Sequence, residues 1–449
     1  MGRFSVRGMI VGAALLVAVL PLAASAGEYA GDFLTRPALT GDWGGARDDA
    51  LAKGVRVDAS VTQVYQGVLD GGKDGSWEYG GRANLTTQLD TQKAGLWPGG
   101  FFKLEFEGNW TESANGHTGA IMPVNTNQLF PVPTGDNVGL PEISFAQFVS
   151  PYAGMFVGKL DTLAGDANAF AHGKGDTQFF NLAMNLNPVA MVVPYSTLGA
   201  GVIVLPTANP DAAIVKFSVL SASGKATTAG FDDISGDNLI FAGEGRVRTG
   251  FFDHTGHHLI GVLYSNAEYK SVDQRFGFVV ENRQLARSRD TWAVYYNFDQ
   301  MLYELEPSPG HGGGNSAERG IGNSAERGIG VFGRFGAAEG NPNPVQYFGS
   351  IGLGGQGVFA DRPLDRFGAG VYYSNVNNLT FEGPFTDRSF LGDEWGFEVF
   401  YNIAIRPWML ITPDLQVIEP SQRERLVSPG RREDVKVATV LGVRLQLLF

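Results

Sequence analysis

The chain closes on VATVLGVRLQLLF, residues 437–449, and this stretch decides the fold. Taken two at a time it has two faces. Val437, Thr439, Leu441, Val443, Leu445, Leu447 and Phe449 form one side, almost wholly apolar. Ala438, Val440, Gly442, Arg444, Gln446 and Leu448 form the other. Alternation of period two is the mark of a strand with unlike surroundings on its two faces. The same pattern recurs upstream. Trp395, Phe397, Val399, Tyr401, Ile403 and Ile405 alternate with a set containing Glu394, Glu398, Asn402 and Arg406. Lys103, Glu105, Glu107 and Asn109 oppose Phe102, Leu104, Phe106 and Trp110. Arg82, Asn84, Thr86, Gln88 and Asp90 share one side of their segment, and Arg56, Asp58, Ser60 and Thr62 share another.

The lengths of these windows are informative. Strands of globular proteins usually run about five or six residues, whereas a strand crossing the hydrocarbon needs about 9–11. These segments are of the longer kind. Aromatic residues stand at their ends, at Trp77, Tyr79, Trp110, Trp395 and Trp408, where an interfacial girdle would lie. Backbone groups find no water inside lipid, so a spanning sheet must close on itself. The sequence therefore predicts an all-β transmembrane antiparallel barrel of about 16 strands. They fall near 55–67, 77–91, 101–111, 142–149, 154–161, 199–206, 212–222, 238–250, 257–268, 289–303, 328–337, 346–357, 366–376, 393–406, 408–418 and 435–449. A soluble β-sandwich is the competing fold, but it has no need of such long strands.

Composition sets further limits. The N-terminus has the parts of an export signal: Arg3 and Arg7, an apolar run from Met9 to Leu22, and Ala24-Ser25-Ala26 as a cleavage site. Residues 1–26 are thus expected to be removed. Loss of the two arginines takes the formal charge from −12 to −14, which argues against a nucleic-acid partner. There is no cysteine, which excludes disulfides and thiolate metal sites. With 62 glycines, 12% aromatics and a mean hydropathy near zero, the composition fits a barrel greasy on one side only.

The Arg406-Pro407 link joins two long strands with almost nothing between them, and its neighbours lead to long polar stretches. Such barrels have short periplasmic turns and long outer loops, so Phe449 is expected at the periplasmic rim. The longest link, Asp161 to Leu198, is too long and too rich in aromatics and asparagine to read as an idle connection. Folded into a lumen of this width it would narrow the channel. Residues 27–54 carry a short expected helix near the lumen, with Asp42 as a possible N-cap and Gly54 as the stop. GNSAERGI occurs twice in tandem, at 314–321 and 322–329, and reads as a local duplication in a turn.

Several stretches together carry a resemblance: LTGDWGGARDDALAKGV from Leu39, GKLDTLAGDANAF (158–170), NPVAMVVPYSTLGAGV (187–202), GRFGAAEGNPNP (333–344), FLGDEWGFEVFYN (390–402) and TPDLQVIEP (412–420). The chain resembles the carbohydrate-selective, OprB-like porins of Gram-negative outer membranes over essentially its whole mature length. The resemblance implies a sixteen-stranded barrel, an N-terminal segment at the lumen, passive passage of sugars, and a terminal aromatic read by insertion machinery. By analogy with porins of this width it also implies a homotrimer set in outer-membrane lipid. The tandem duplication departs from the family pattern.

A sugar needs donors and acceptors for its hydroxyls and flat aromatic surface for its C–H face. The candidates on the second and third strands are Arg82, Asn84, Lys103, Glu105, Glu107 and Asn109, with Arg82 and Glu107 expected to oppose each other across a constriction. Those in the long loop are Asp166, His172, Lys174, Asp176, Phe179 and Asn181, with Phe180 and Asn185 beside them. Each also reads as a solvated lumen charge or as loop packing, and Phe179-Phe180 as a wall anchor. Other motifs fail their context. GIGVFG (328–333) and GLGGQG (352–357) precede no helix, so they are not dinucleotide loops. HTGHH (254–258) falls in an expected turn and is not read as a metal site. Glu105 and Glu107 stand side by side on one strand, unlike a hydrolytic pair. No reaction, cofactor or metal is implied. The expected partners are small neutral sugars such as glucose. The alternative is a general or anion-selective diffusion porin, in which lumen arginines act by field alone.

Overall fold

The computed structural model describes residues 27–133, 135–163, 168–231, 236–272, 274–275, 286–305, 327–377, 381–382, 391–428 and 431–449. The expected signal, residues 1–26, lies outside the described residues, as do Asp166 and the tandem duplication up to residue 326.

Sixteen antiparallel strands follow one another in chain order and close into a barrel. They are β1 (Val55–Gly72), β2 (Trp77–Asp90), β3 (Gly100–Thr111), β4 (Asn137–Ser150), β5 (Ala153–Asp161), β6 (Ser196–Val204), β7 (Ala213–Ser221) and β8 (Leu239–Thr249). Then come β9 (Gly256–Lys270), β10 (Arg287–Leu305), β11 (Arg327–Ala338), β12 (Val345–Gln356), β13 (Arg366–Val376), β14 (Glu394–Arg406), β15 (Met409–Glu419) and β16 (Lys436–Leu448). The seam is the β1–β16 ladder, with Val61 opposite Leu447 and Gly67 opposite Leu441. No helix among the described residues is long and apolar enough to cross a membrane. Closure leaves every strand with two neighbours, which is what a sheet in lipid requires.

Every second side chain points outward. On β16 the odd positions are exposed or half-exposed and the even positions buried, so Val437, Leu441 and Val443 face out while Arg444 and Gln446 face the lumen. Exposed aromatics form two outer bands. Tyr65, Trp77, Tyr79, Tyr373 and Trp395 lie toward one end, and Trp97, Phe102, Phe145, Phe367 and Tyr401 toward the other. On β13, Phe367 and Tyr373 are roughly 20 Å apart along the strand. An apolar stripe between two aromatic girdles is the outer surface a bilayer demands. Trp408 differs from expectation. It is only 7% exposed because Phe33 packs on it, 5.0 Å between ring centroids, and its indole N–H donates to the Phe33 carbonyl at 2.8 Å.

The first described residues, from Gly27, and Phe449 lie at one end of the barrel, with the short links 151–152 and 407–408. The opposite end carries the links 112–136 and 162–195. Residues 27–54 cross the terminal end. Their helix α1 (Ala46–Ala52) is shorter than a free helix could sustain and is held by tertiary contacts. Its Arg47 is 2% exposed. It stacks over the Tyr29 ring at 3.6 Å, donates to the Val57 carbonyl at 2.6 Å and to the Phe449 carbonyl at 2.9 Å, and pairs with Asp58 at 3.2 Å. Gly45, not Asp42, is the N-cap, and Asp42 instead accepts from the Gly44 N–H one turn earlier. Gly54 stops the helix with φ +83, and a Cβ there would meet the Asp90 carbonyl at 2.6 Å. Glycine alone satisfies both conditions.

Candidate functional site

The described part of the link 162–195, from Asn168 on, folds into the lumen and takes residues 112–133 with it. The two are joined backbone to backbone, Thr126 N–H to the Phe180 carbonyl at 2.8 Å and Leu182 N–H to the Pro123 carbonyl at 2.9 Å. Charged residues projecting inward from the wall hold both loops.

On the β2–β5 side the wall presents Arg82, Lys103, Glu105, Glu107, Glu142 and Asp161, each 7% exposed or less. Glu105, Glu107 and Asp161 bring carboxylate oxygens within 4.8 Å of one another. The cation among them is the protein's own. Lys174 Nζ lies 2.5 Å from Glu107 and 3.3 Å from Glu105, and also contacts Asp161. Burial alone would push this ammonium down, but the carboxylates, Asp161 foremost, hold it well above the ordinary lysine value. Lys103 bridges Glu142 at 2.6 Å and Glu105 at 3.3 Å. Arg82 grips Asp176 of the loop at 2.6 Å. Asn84 donates to Glu105 at 2.7 Å, and Asn109 donates to the Val132 carbonyl.

The expected residues are therefore brought together, but in another arrangement. Arg82 and Glu107 do not oppose each other across a gap. They sit on adjacent strands, two residues apart in register, 3.6 Å from each other. What faces them is the loop, through Lys174 and Asp176. His172, whose N–H donates to Gln178 at 2.7 Å, braces the loop itself. Phe179 and Phe180 do anchor it to the wall. Phe179 packs between Phe332 and Phe400, at 5.3 and 4.7 Å, and Phe180 lies under the Arg444 guanidinium. Asn181 caps the turn Leu182–Asn185 and donates to Gln416 at 3.0 Å.

The opposite wall supplies anchors that sequence reading passed over. Glu398 accepts the N–H groups of Phe180 and Asn181 at 2.5 and 3.0 Å, and Glu394 accepts those of Ile121 and Met122 at 2.6 and 3.1 Å. Arg444 donates to the carbonyls of Gly175 and Gln178 at 2.6 and 2.9 Å. Arg334 donates to those of Met184 and Ala171. Their signal was present: each is a charge on the lumen side of an alternating strand. A charge in that position needs a partner, and irregular loop backbone is the largest supply of unpaired carbonyls and N–H groups.

Space remains where the loop stands off the β7–β10 wall. A cavity of about 320 Å³ lies there. Phe130, Tyr195 and Tyr295 give it aromatic surface, and Asn187 and Asn297 give it amides. Its one carboxylate, Glu244, is committed to Lys216 at 2.6 Å and to the Tyr295 hydroxyl at 2.6 Å. None of the expected site residues that are described lines it.

The HTGHH stretch also differs from its reading. His257 and His258 lie at the start of β9, after Gly256, and carboxylates distant in sequence arrive beside His257 in space. His257 contacts Asp299 at 2.9 Å and Asp211 at 3.6 Å, while His258 meets the Tyr296 hydroxyl on the outer face. GIGVFG and GLGGQG lie within β11 and β12.

A closed sixteen-stranded barrel with two inward loops is the architecture of a porin. Residues 74–449 match the model of the OprB family of carbohydrate-selective porins. The chain belongs to that family. This porin is similar in fold to Pseudomonas putida OprB. Against its high-pH structure the identity is 21% and the TM-score 0.72, with 93% of this chain and 100% of the other covered. Against the low-pH structure they are 17% and 0.53, with 93% and 99% covered. No curated protein matches the chain.

Proposed function

We propose that this porin sits in the outer membrane of a Gram-negative bacterium and passes neutral carbohydrates passively, monosaccharides such as glucose foremost. The observation that carries the reading is the cavity on the β7–β10 wall. Its volume of about 320 Å³ is at the small end of small-molecule sites. Aromatic faces suit the C–H side of a pyranose, and amides suit its hydroxyls. The lining holds no charge without a partner among the described residues, so an ion gains little by entering, while a neutral ring meets surface for both of its sides. Weak, multiple contacts of this kind let a solute leave as readily as it enters. The end carrying the termini then faces the periplasm, residues 1–26 serve as the removed signal, and the porin assembles as a homotrimer in lipid.

Liposome swelling over a series of sugars and amino acids tests the reading. Glucose is expected to enter faster than an amino acid of similar size, and equal rates would overturn the preference. Reversal potentials in a salt gradient separate it from an anion-selective porin, which would show a strong chloride preference without block by glucose. Light scattering coupled to size exclusion in detergent gives the number of subunits.

A further inference from the structure

Below the cavity, toward the terminal end, the same wall carries an unusual side chain. Arg246 points inward from β8, opposite Leu259 of β9 and Ile214 of β7, and is 5% exposed. None of its three guanidinium nitrogens hydrogen-bonds to another protein group, and its nearest acid, Asp211 Oδ1, is 3.9 Å away. The surrounding carboxylates have closer partners, although Asp211 Oδ1 keeps only its long contacts to Arg246 and His257. Asp211 is paired with Arg248 at 2.8 Å, Asp299 with His257 at 2.9 Å, and Glu244 with Lys216 at 2.6 Å. A buried guanidinium with unserved donors is costly unless something arrives to accept from it.

Arg246 borders a small recess of about 10 Å³, with His257, Leu259, Asn297 and Asp299 around it. That is room for roughly one water or one hydroxyl group. Leu259 and Asn297 also line the larger cavity, so the two spaces are successive steps along one wall. In the larger cavity the Asn187 side-chain oxygen is buried without a donor. The larger cavity thus offers amide and aromatic groups at the upper step, and Arg246 offers a fork of donors at the lower. A hydroxyl donates and accepts, so a polyol ring has use for both.

Charge decides which polar solute fits. Lys216, Arg246 and Arg248 are balanced by Asp211, Glu244 and Asp299, with His257 bridging two of the acids. An anion meets these carboxylates as well as the guanidinium, whereas a neutral hydroxyl can accept from Arg246 and donate to Asp299. We infer that Arg246 forms a second subsite for a neutral sugar, holding one hydroxyl oxygen in its fork as the solute passes from the cavity toward the terminal mouth. The inference rests on the sugar reading above.

The test uses the full-length porin in planar bilayers, with glucose-induced current noise as the measure of binding. Arg246→Gln and Arg246→Lys are compared with the unaltered channel, after a heat-modifiable gel shift shows each to be folded. The Gln variant is expected to weaken glucose binding about tenfold, because a charge-assisted fork is lost. The Lys variant, a cation without the fork, is expected to fall between. Potassium chloride conductance should stay within about twofold. Unchanged glucose binding in both variants would overturn the subsite alone. A shift in ion selectivity with unchanged sugar binding would also overturn it, in favour of a field effect. Absence of any glucose response in the unaltered channel would overturn the subsite and the sugar reading together.

Discussion

Lys174→Met tests whether the loop is held in the lumen by charge. The substitution keeps the length of the side chain and removes the ammonium that three carboxylates share. Around it the wall and loop carry five acids (Glu105, Glu107, Glu142, Asp161, Asp176) and three bases (Arg82, Lys103, Lys174). Their sum goes from −2 to −3, with the deficit concentrated where the acids already stand within 4.8 Å. Breaking a buried pair in this way costs about 3–5 kcal/mol. At about 1.4 kcal/mol per factor of ten, docking of residues 168–176 weakens by roughly two to three and a half orders of magnitude. Arg444 still holds Gln178 and Arg334 still holds Met184 beyond that segment, so the expected result is a locally lifted loop inside an intact barrel. In planar bilayers the conductance rises, and in liposome swelling the size limit moves toward disaccharides. Adding Glu107→Gln, which removes one of the three charges left uncompensated, should recover most of the original conductance. A Lys174→Met channel with unchanged conductance, unchanged size limit and an unchanged proteolysis pattern would refute the claim that these charges position the loop.

Arg444→Met strips two loop carbonyls of a charged donor. It should lower docking by on the order of 3 kcal/mol, seen as flickering single-channel current with the gel-shift temperature of the barrel little changed. Gly54→Ala forces a side chain into a left-handed position against the Asp90 carbonyl. It costs roughly 1–3 kcal/mol and is read as faster trypsin cleavage within residues 27–54. The Asp211 carboxyl in the β6–β7 turn is held down to about 2 by His257, against the effect of burial, with Arg246 and Arg248 adding to it. A lowered pKa contributes stability above the unfolded value of 3.8 and loses it as pH falls toward 2. The difference in urea midpoint between the unaltered porin and Asp211→Asn should be constant above pH about 4 and shrink between 4 and 2. A difference undiminished at pH 2 would contradict this.

The strands were legible because lipid imposes both a period and a length, and neither depends on distant residues. The main slip is instructive. β4 begins at Asn137 and not near 142, so it runs through Pro141. In the barrel it stands at a register shift, between the Glu105–Glu142 and Glu107–Gly139 pairs, where a missing N–H is tolerated. That Arg82, Lys103, Glu105 and Glu107 face inward was also legible, from alternation alone. What covers them was not. The side of the lumen to which a long loop docks depends on partners scattered over β11, β14, β15 and β16, such as Arg334, Glu398, Gln416 and Arg444. No local pattern joins those positions. The same holds for His257, whose acids arrive from the β6–β7 turn and from β10. Asp42 failed as an N-cap because the glycine pair after it turns the chain before the helix begins, leaving Gly45 at φ +93.

The segment across the terminal mouth touches both sides of the seam. Leu39 N–H donates to the Leu448 carbonyl, Arg47 reaches Val57 and Phe449, and the Phe449 N–H closes on Ala59. The earliest and latest parts of the folded polypeptide thus lock one another. A copy cut short before its last strand would forfeit the zipped edge and the strap in a single loss, showing a bare β-margin and a loose tail to any protease that patrols unfinished barrels. Completeness of synthesis is in this way written into the molecule as a shape.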